Sequence, residues 1–364
     1  MTQQFPRFQP GKAAIFSGAG QPFRLVEGEV PPIGKGEILV RNRYTTICGS
    51  DVHTYCGHRK EPGEVVLGHE IVGEVLWFDP ETSMEDYKGN PVQIGDRIVW
   101  SIFAVPAHTA PPRPDMPQKS DGLFKYGHAP AIHNDIFNGG LANYCVLRAN
   151  TAFLKISADI PLKVAATISC AHATVAGGLR IAGEIKGKKV MIFGAGLLGL
   201  SCGAMCRQAG ASWIGLVDND NTRLQWGTKF GADEGYLFSN YPDQHTKPWP
   251  DADIVFDMTG NADAMNAGIG LLALGGCAVW IGAVFPSKPV QINAEQVVRK
   301  LLTIRGLHNY NYDDFVNAAL FVENNYRKYP FEELVEKEFK LHEVETAFGF
   351  ANREKPVRVG IEIS

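Results

Sequence analysis

The sequence predicts a two-domain α/β protein in which a β-rich domain is interrupted by a doubly wound parallel sheet. Its 364 residues are too many for one ordinary hydrophobic core. Up to about residue 155, β-branched and aromatic runs separated by glycine and proline predict strands and turns. From about 157 to 300, apolar strands alternate with helical stretches, which is the βαβ order of a parallel sheet.

Four runs before residue 104 predict the strands of the β-rich domain. They are KAAIFSG, EILVRNRYTTI, EVVLGHEIVGEVLWF and DRIVWSIF. A polar, proline-rich stretch at 104–122 follows them, and it predicts a surface lobe.

The strands predicted for the parallel sheet are VMIF, WIGLVD, ADIVFDMTG and CAVWIGAV. After residue 300 a helical run, DDFVNAALFVENN, precedes strand-like segments that end in VRVGIEI. We therefore expect the chain to return to its first domain. The predicted domains are residues 1–156 with 301–364, and a Rossmann-type domain at 157–300.

Composition and charge exclude several classes of protein. Apolar residues make up 45% and charged residues 20%, which is ordinary for a globular protein. The net charge of −4, with no cluster of Lys or Arg, argues against a nucleic-acid partner. The start has no apolar segment typical of a secretory signal, and glycines interrupt the most apolar run, at 190–205, so we expect no membrane partner. Seven scattered cysteines favour a reducing cytoplasm.

Gly194, Gly196 and Gly199 directly follow an apolar strand and begin a helix. In a dinucleotide-binding turn the first glycine allows the tight turn, the second admits the pyrophosphate and the third permits close helix–strand packing. A lone GxGxxG motif also occurs for packing alone. Here the next strand ends in Asp218, whose carboxylate can bind the adenosine ribose hydroxyls and would repel a 2′-phosphate. The sequence therefore predicts a dinucleotide, with NAD favoured over NADP, and Arg223 either lies against the adenine or is a solvated helix residue.

The stretch ICGSDVHTYCGH at 47–58 contains two cysteines and two histidines. A closed zinc site from Cys48, His53, Cys56 and His58 would have spacings that match no usual zinc knuckle. Cys56 and His58 also run into a polar turn, so they are interpreted as ordinary loop residues.

An open metal site explains Cys48 better, because His69 follows in LGHE and Cys170 in ISCAH. A catalytic zinc takes three protein ligands and keeps one coordination position free. Taken singly, Cys170 is more typical of a core thiol and His69 of a buried, hydrogen-bonded histidine. The prediction therefore depends on the three residues as a set.

The order of ICGSDVH, LGHE, SCAH and GAGLLG, with an acid ending the next strand, resembles the zinc-dependent medium-chain alcohol and polyol dehydrogenases. The likeness covers nearly the whole chain, including GDR at 95–97 and GGCAVWIG at 275–282. CGSDVH is closer to the sorbitol and threonine dehydrogenase branch, and AAIFSGAGQPF and LFKYGH are loosely similar to dehydrogenases associated with phosphonate catabolism. The resemblance implies a GroES-like catalytic domain, a Rossmann domain that binds NAD, and a homodimer or homotetramer. The implied reaction is zinc-dependent hydride transfer between a secondary alcohol or polyol and NAD, giving a ketone or aldehyde.

The resemblance also implies roles for residues around the metal. Ser50 would pass on the proton of the alcohol, and His53 would release it to solvent through the cofactor ribose. Asp51 would orient the histidine ligand. Glu70 is either a supporting residue or an occasional zinc ligand, and Arg358 resembles the family's basic residue for the cofactor pyrophosphate.

Two further expectations concern the substrate and a second zinc. Ile102 and Tyr55 are predicted to line a pocket for a secondary or cyclic alcohol. Many members of the family hold a structural zinc with four cysteines in the lobe after GDR. The corresponding residues here carry no thiol, which predicts a single, catalytic zinc; they are Pro106, Thr109, Pro112 and Ser120.

Two alternatives remain beside the zinc enzyme. A zinc-free quinone or enoyl reductase of the same superfamily would lack the Cys48, His69 and Cys170 set. A non-catalytic dinucleotide-binding protein would need neither Ser50 nor His53.

Overall fold

The computed structural model describes residues 5–79, 84–106, 109, 113, 115–132, 135–240 and 249–363. The chain divides into two compact units. The first unit contains Met1–Cys170, Asn311–Tyr326 and Phe331–Ser364, and the second contains Ala171–Tyr310 and Arg327–Pro330.

The strands share the short, β-branched character of the runs that predicted them. In chain order they are β1 (Gly11–Ile15), β2 (Arg24–Gly28), β3 (Ile38–Ile47), β4 (Glu70–Phe78), β5 (Arg97–Ala104), β6 (Phe124–Lys125), β7 (Tyr144–Leu147), β8 (Thr151–Lys155), β9 (Lys189–Phe193), β10 (Trp213–Asp218), β11 (Glu234–Leu237), β12 (Ala252–Asp257), β13 (Leu272–Trp280), β14 (Thr303–Gly306), β15 (Val335–Lys340) and β16 (Arg358–Glu362).

The α-helices are mostly short, and side chains cap several of their first turns. In chain order they are α1 (Gly49–Tyr55), α2 (Leu162–Ala165), α3 (Ala171–Ala182), α4 (Leu197–Gln208), α5 (Asn221–Leu224), α6 (Ala262–Gly270), α7 (Ala294–Lys300), α8 (Tyr312–Asn325) and α9 (Val344–Glu354).

An eight-stranded sheet organises the first unit. Six of its strands follow the order β15-β16-β3-β4-β5-β6, while β7 pairs with β3 and β8 with β5. The pair β15–β16 is parallel, and β16 runs antiparallel to β3. This pairing returns the late part of the chain to the strand that precedes α1, as the sequence predicted.

Buried apolar side chains form two clusters in the first unit. One joins β1 and β7 to α9 and β16, and Phe348 and Ile361 belong to it. The other fills the curled sheet around Val40, Trp100 and Tyr126. Both faces of β3 are therefore packed, which fixes the strand that leads to Cys48.

A six-stranded parallel sheet organises the second unit, in the order β11-β10-β9-β12-β13-β14. Of these six strands, β9 comes first in the sequence, and it lies in the middle of the sheet, between β10 and β12. This is the doubly wound Rossmann order, in which ligands bind beyond the carboxyl ends of the central strands. The predicted fold class, α/β with a β-rich and a Rossmann-type part, is confirmed.

The boundaries of the units differ from those predicted at 156/157 and 300/301. Strand β14 pairs in parallel with β13, so the chain up to Tyr310 belongs to the second unit. Residues 157–170 belong to the first unit, and within them the 3-10 turn Ala166–Ser169 packs on β3, β4 and β5. Apolar runs alone did not show which sheet these short segments join.

No single helix in the described ranges is long and apolar enough to cross a membrane. Two helical segments that meet at a bend, residues 162–169 and 171–182, are together long and apolar enough by length and composition only. Most of their side chains are buried inside the protein.

Candidate functional site

Three metal-binding side chains meet in the first unit. Cys48 follows β3 as the N-cap of α1, His69 precedes β4, and Cys170 follows the 3-10 turn Ala166–Ser169. One ligand atom from each lies within 4.8 Å of the other two. Bonds of about 2.3 Å to sulfur and 2.0 Å to nitrogen put tetrahedral zinc ligands roughly 3.5 Å apart. The three donors therefore fit a zinc ion after small side-chain shifts.

Asp51 supports two of these ligands. Its Oδ1 lies 3.3 Å from His69 Nδ1, and its Oδ2 accepts a hydrogen bond of 2.9 Å from the backbone N–H of Cys48. Asp51 and His69 are buried, and neither Oδ1 nor Nδ1 makes a well-angled hydrogen bond within the described residues. A carboxylate on Nδ1 leaves Nε2 for the metal and fixes the ring orientation. This is the position that the sequence predicted for Asp51.

The charges around the three ligands favour a thiolate. The hydrogen bond from Cys170 lowers the pKa of Cys48, burial opposes this, and the Arg358 cation lowers it further. The same hydrogen bond raises the pKa of Cys170. Burial would lower the pKa of His69, but the nearby Asp51 carboxylate raises it. Cys48 is therefore the thiol that ionises first, and a thiolate is the form that binds zinc.

Glu70 forms a buried ion pair with Arg358. Its carboxylate accepts hydrogen bonds of 2.9 and 3.0 Å from Arg358 Nε and Nη2, and a short one from Thr46 Oγ1. Arg358 Nη2 also lies 3.8 Å from Cys48 Sγ. This carboxylate therefore neutralises a buried cation, and occasional zinc ligation by Glu70 stays a prediction. Pyrophosphate binding by Arg358 stays a prediction.

The two predicted relay residues lie on α1. Ser50 Oγ is 3.4 Å from His69 Nε2, which places this hydroxyl beside the metal ligands. His53 lies one helical turn further on, and its Nδ1 is 3.4 Å from Nδ1 of His58. Burial, and then His58, lower the pKa of His53. The proton relay itself stays a prediction.

The closed site of Cys48, His53, Cys56 and His58 does not form. Cys56 Sγ instead donates to Asn352 Oδ1 over 3.3 Å, as an ordinary side chain would. The interpretation of Cys56 and His58 as residues outside the metal centre agrees with this geometry.

The structure gives Tyr55 a packing environment that the pocket prediction did not include. Its hydroxyl donates to Glu345 over 2.8 Å, and its ring stacks on Phe23 and packs against Phe348. Ile102 is buried on β5. A substrate-pocket role for either residue stays a prediction.

The glycine turn of the second unit has the form that a dinucleotide needs. Gly194 has a φ of +102°, and a Cβ on Gly199 would lie 1.7 Å from the Gly194 carbonyl oxygen. At Gly196, the N-cap of α4, no atom lies within 4 Å of the Cβ position. The first and third glycines therefore build the turn, and the second leaves room for a phosphate at a helix N-terminus.

Asp218 ends β10 beside this turn. Its Oδ2 accepts a 2.6 Å hydrogen bond from the Ala195 N–H, and its Oδ1 accepts one of 3.0 Å from Asp220. Each carboxylate oxygen keeps a second acceptor position for a ribose hydroxyl. Arg223 lies on α5, five residues further along the chain, and its contact with adenine stays a prediction.

The sequence analysis missed His128 and Glu61. The His128 ring lies 5.1 Å from the His69 ring, and its Nδ1 is 3.0 Å from Glu61 Oε1. A Cβ on Gly127 would lie 2.6 Å from the Gly68 carbonyl oxygen, so this glycine seats His128 against the metal ligand. The Gly-His pair in LFKYGH was the available signal.

Of the four lobe positions without a thiol, Pro106, Thr109 and Ser120 are described, whereas Pro112 lies outside the described residues. We searched the described residues for three or more possible metal ligands that lie close together, and the group found is Cys48, His69 and Cys170.

Two family profiles match the chain. The profile described as an alcohol dehydrogenase GroES-like domain matches residues 34–158, and the one described as a zinc-binding dehydrogenase matches residues 198–324.

Individual proteins are similar over most of their length. The L-threonine 3-dehydrogenase of Deinococcus radiodurans is 28% identical over 298 residues, which cover 79% of this chain and 80% of the relative. A solved alcohol dehydrogenase from Thermotoga maritima matches with a TM-score of 0.88 and 25% identity, covering 98% of this chain and 100% of that one. A structure from Sinorhizobium meliloti, of a proposed zinc-binding dehydrogenase bound to NADP, has a TM-score of 0.83 and 20% identity, covering 98% and 100%.

Proposed function

Because this chain belongs to the zinc-dependent medium-chain dehydrogenase family, we propose that it oxidises a secondary alcohol or polyol with NAD at a zinc held by Cys48, His69 and Cys170. The observation that carries this proposal is the convergence of these three donors to within 4.8 Å. Their separate positions in the chain argue against coincidence, since each follows or precedes a different buried element.

The residues around the metal are proposed to hold and move one proton. Zinc at this site supplies Lewis-acid catalysis, which makes an alcohol hydroxyl easier to deprotonate. Asp51 holds His69 in the tautomer that ligates. Ser50, with its hydroxyl 3.4 Å from His69 Nε2, is placed to accept the proton of the alcohol. His53, one helical turn away, then passes this proton towards solvent.

NAD is the proposed hydride acceptor, in preference to NADP. Asp218 puts a carboxylate where the adenosine ribose binds in Rossmann turns, and its charge would repel a 2′-phosphate. Repulsion of about 1.4 kcal/mol already corresponds to a tenfold preference. Equal catalytic efficiency with NAD and NADP would contradict this assignment.

The substrate is proposed to carry a secondary hydroxyl. Threonine, the substrate in the name of the Deinococcus relative, is itself a secondary alcohol, which supports this choice. A zinc-free reductase or a binding protein without catalysis is less well supported, because neither requires three converging zinc donors.

The chain is further proposed to work in the cytoplasm as a homodimer or homotetramer. All seven cysteines are free thiols, which suits a reducing compartment. In the second unit, Leu274, Val298 and Leu301 are each more than 70% exposed, and β14 lies at the edge of the sheet. Exposed apolar side chains and an open edge strand are features that association covers. Size-exclusion chromatography with light scattering would measure the molar mass of the protein in solution. A monomer mass would contradict the proposed association.

A zinc analysis combined with an NAD-coupled screen of alcohols tests the proposed function. The protein should contain zinc and reduce NAD with at least one secondary alcohol or polyol. Cys48→Ser should lose zinc and nearly all turnover but still bind NAD, because the glycine turn lies in the second unit. Wild-type turnover in this variant would contradict the ligand assignment.

A further inference from the structure

Two histidine rings meet at the end of α1. Nδ1 of His53 lies 3.4 Å from Nδ1 of His58, and the two ring centroids are 5.6 Å apart. His53 is partly buried and His58 is exposed, so an ion in solution can reach the pair. Neither ring belongs to the group formed by Cys48, His69 and Cys170.

The backbone at the end of α1 holds the two rings next to each other. Cys56 is the C-cap of the helix, and Gly57 follows it with a φ of +78°. The N–H of Gly57 donates to the carbonyl oxygen of Thr54 over 3.0 Å. The N–H of His58 donates to the carbonyl oxygen of His53 over 2.9 Å. These two bonds are those of a Schellman motif, in which the side chains at the positions of His53 and His58 contact each other. The contact is usually apolar, whereas here it consists of two imidazoles.

The separation of the two ring nitrogens suits a metal ion. Bonds of about 2.0–2.1 Å from zinc to nitrogen put two tetrahedral ligands roughly 3.4 Å apart. The two Nδ1 atoms already lie at this distance. In the pair as it stands, one ring donates its Nδ1 proton to the other. A bound ion replaces this hydrogen bond, and each neutral ring then carries its proton on Nε2. Imidazole nitrogen is a ligand that divalent transition metals prefer.

The cation next to the pair in the sequence is neutralised. Arg59 follows His58, and its Nε lies 3.4 Å from Glu61 Oε1. The carboxylate offsets the guanidinium charge, which would otherwise repel a metal ion. The two imidazoles therefore form a preorganised pair of ligands that is open to solvent.

We propose that His53 and His58 form a second metal site, which binds a divalent transition metal ion such as Zn²⁺ and thereby inhibits the protein. The inhibition rests on the proposed alcohol oxidation, in which His53 passes a proton towards solvent. An ion on Nδ1 leaves Nε2 protonated, so the ring has no lone pair to accept that proton. Two protein ligands hold an ion more weakly than the three of the catalytic site. This ion is therefore lost on desalting, and the purified protein keeps one zinc.

Calorimetric titration with zinc chloride tests the site on tag-free protein that already holds its catalytic zinc. At pH 8, above the usual histidine pKa of about 6.5, the wild type should bind one further Zn²⁺ per chain. His58→Gln and His53→Gln should each bind this ion at least about tenfold more weakly, because each removes one of two ligands. His342→Gln changes another exposed histidine, and this matched control should bind as the wild type does.

The melting temperature of each variant shows whether it is folded, and if one of the two ligand variants fails to fold, the other decides. No second zinc in the wild type, or wild-type affinity in the folded ligand variants, would overturn the proposal.

The rate of alcohol oxidation tests the inhibition. Zn²⁺ that fills the second site should lower kcat of the wild type towards that of His53→Gln, because both changes remove the same proton acceptor. Mg²⁺ prefers oxygen ligands and should leave kcat unchanged. Half-inhibition of His58→Gln should need at least about tenfold more Zn²⁺ than that of the wild type. Equal inhibition of these two proteins, or an unchanged wild-type kcat when the site is full, would overturn the proposal.

The two measurements separate this inference from the proposed function. If no alcohol reduces NAD, the oxidation of secondary alcohols loses its support, and the titration still decides the second metal site because it needs no substrate. If an alcohol is oxidised but no second zinc binds, the second metal site alone is wrong.

Discussion

His69 lies between Asp51 on one side and the thiols of Cys48 and Cys170 on the other. The carboxylate fixes the ring, so its loss should weaken metal binding without removing a ligand. Asp51→Asn is expected to lower the zinc affinity by about 10- to 100-fold. Competition with a chromophoric chelator measures this affinity. Asp121→Asn changes an exposed carboxylate and serves as the control, and equal zinc affinity in all three proteins would contradict the role of Asp51.

The proton path predicts a specific pH profile for alcohol oxidation. Burial, and then His58, lower the pKa of His53. The neutral imidazole accepts protons, so the rate should fall only as the pH drops below the usual histidine pKa of about 6.5. His53→Gln should remove this acidic limb. His58→Gln should move it to higher pH, because the second ring no longer lowers the pKa of His53.

Profiles of kcat against pH from about 5 to 9 would check this prediction. Identical profiles for the wild type, His53→Gln and His58→Gln would exclude His53 from the path. Ser50→Ala should slow oxidation by about 10²- to 10⁴-fold at every pH, since its hydroxyl precedes His53 in the proposed path.

Some contacts of single residues could be predicted from the sequence, and others could not. The metal ligands stand in motifs, so their set was predictable, together with Asp51. The pair Glu70–Arg358 joins residues 288 positions apart, and no local pattern shows that each would neutralise the other. Tyr55 ends the helix that carries Ser50, but its contacts come from Phe23, Glu345 and Phe348, which only the folded chain brings near.

At the scale of elements, the glycines in the turn between β9 and α4 have different roles. Gly199 is needed for steric reasons, and Gly196 leaves room for the cofactor. Gly199→Ala would put a Cβ 1.7 Å from the Gly194 carbonyl oxygen, whereas Gly196→Ala meets no atom within 4 Å. Gly199→Ala should therefore lower the melting temperature by several degrees, since overpacking costs about 1–3 kcal/mol. Gly196→Ala should keep the wild-type melting temperature and bind NAD at least about tenfold more weakly.

Thermal melts and NAD titrations of the two variants would check this contrast. A normal melting temperature for Gly199→Ala, or unchanged NAD affinity for Gly196→Ala, would contradict the division of roles.

The strands and helices that the sequence predicted well are those with long apolar runs, such as β9, β10 and α8. The four-residue strand β14 was assigned to the wrong unit, because a short edge strand buries little and has a weak pattern. The sequence analysis did not predict helix α1, because it considered these residues only as possible metal ligands. Its N-cap is a cysteine rather than Ser, Thr, Asp or Asn, although Asp51 caps the Cys48 N–H.

At the scale of the whole molecule, we expect one zinc per chain. Cys48, His69 and Cys170 form one site. The four positions at which the sequence predicted the loss of a structural zinc carry no thiol; they are Pro106, Thr109, Pro112 and Ser120. Elemental analysis of protein expressed with ample zinc should give about one atom per chain. Cys170→Ala should bring that value towards zero, and Cys56→Ala, whose thiol bonds to Asn352, should not. Two tightly held zinc atoms, one of them surviving in Cys170→Ala, would contradict this expectation.

The pairing of β16 with β3 has a consequence for how the protein is made on the ribosome. The second unit is an insertion whose residues, apart from 327–330, all emerge before residue 311, so its sheet can fold while synthesis continues. The sheet of the first unit is completed only when β16 is translated, because β7 covers residues 38–41 of β3 and residues 44–47 pair with β16. Arg358 arrives with that strand, and only then is the buried carboxylate of Glu70 neutralised. We therefore expect nascent chains to be most prone to aggregation in this interval, and stable metal loading to follow translation of β16.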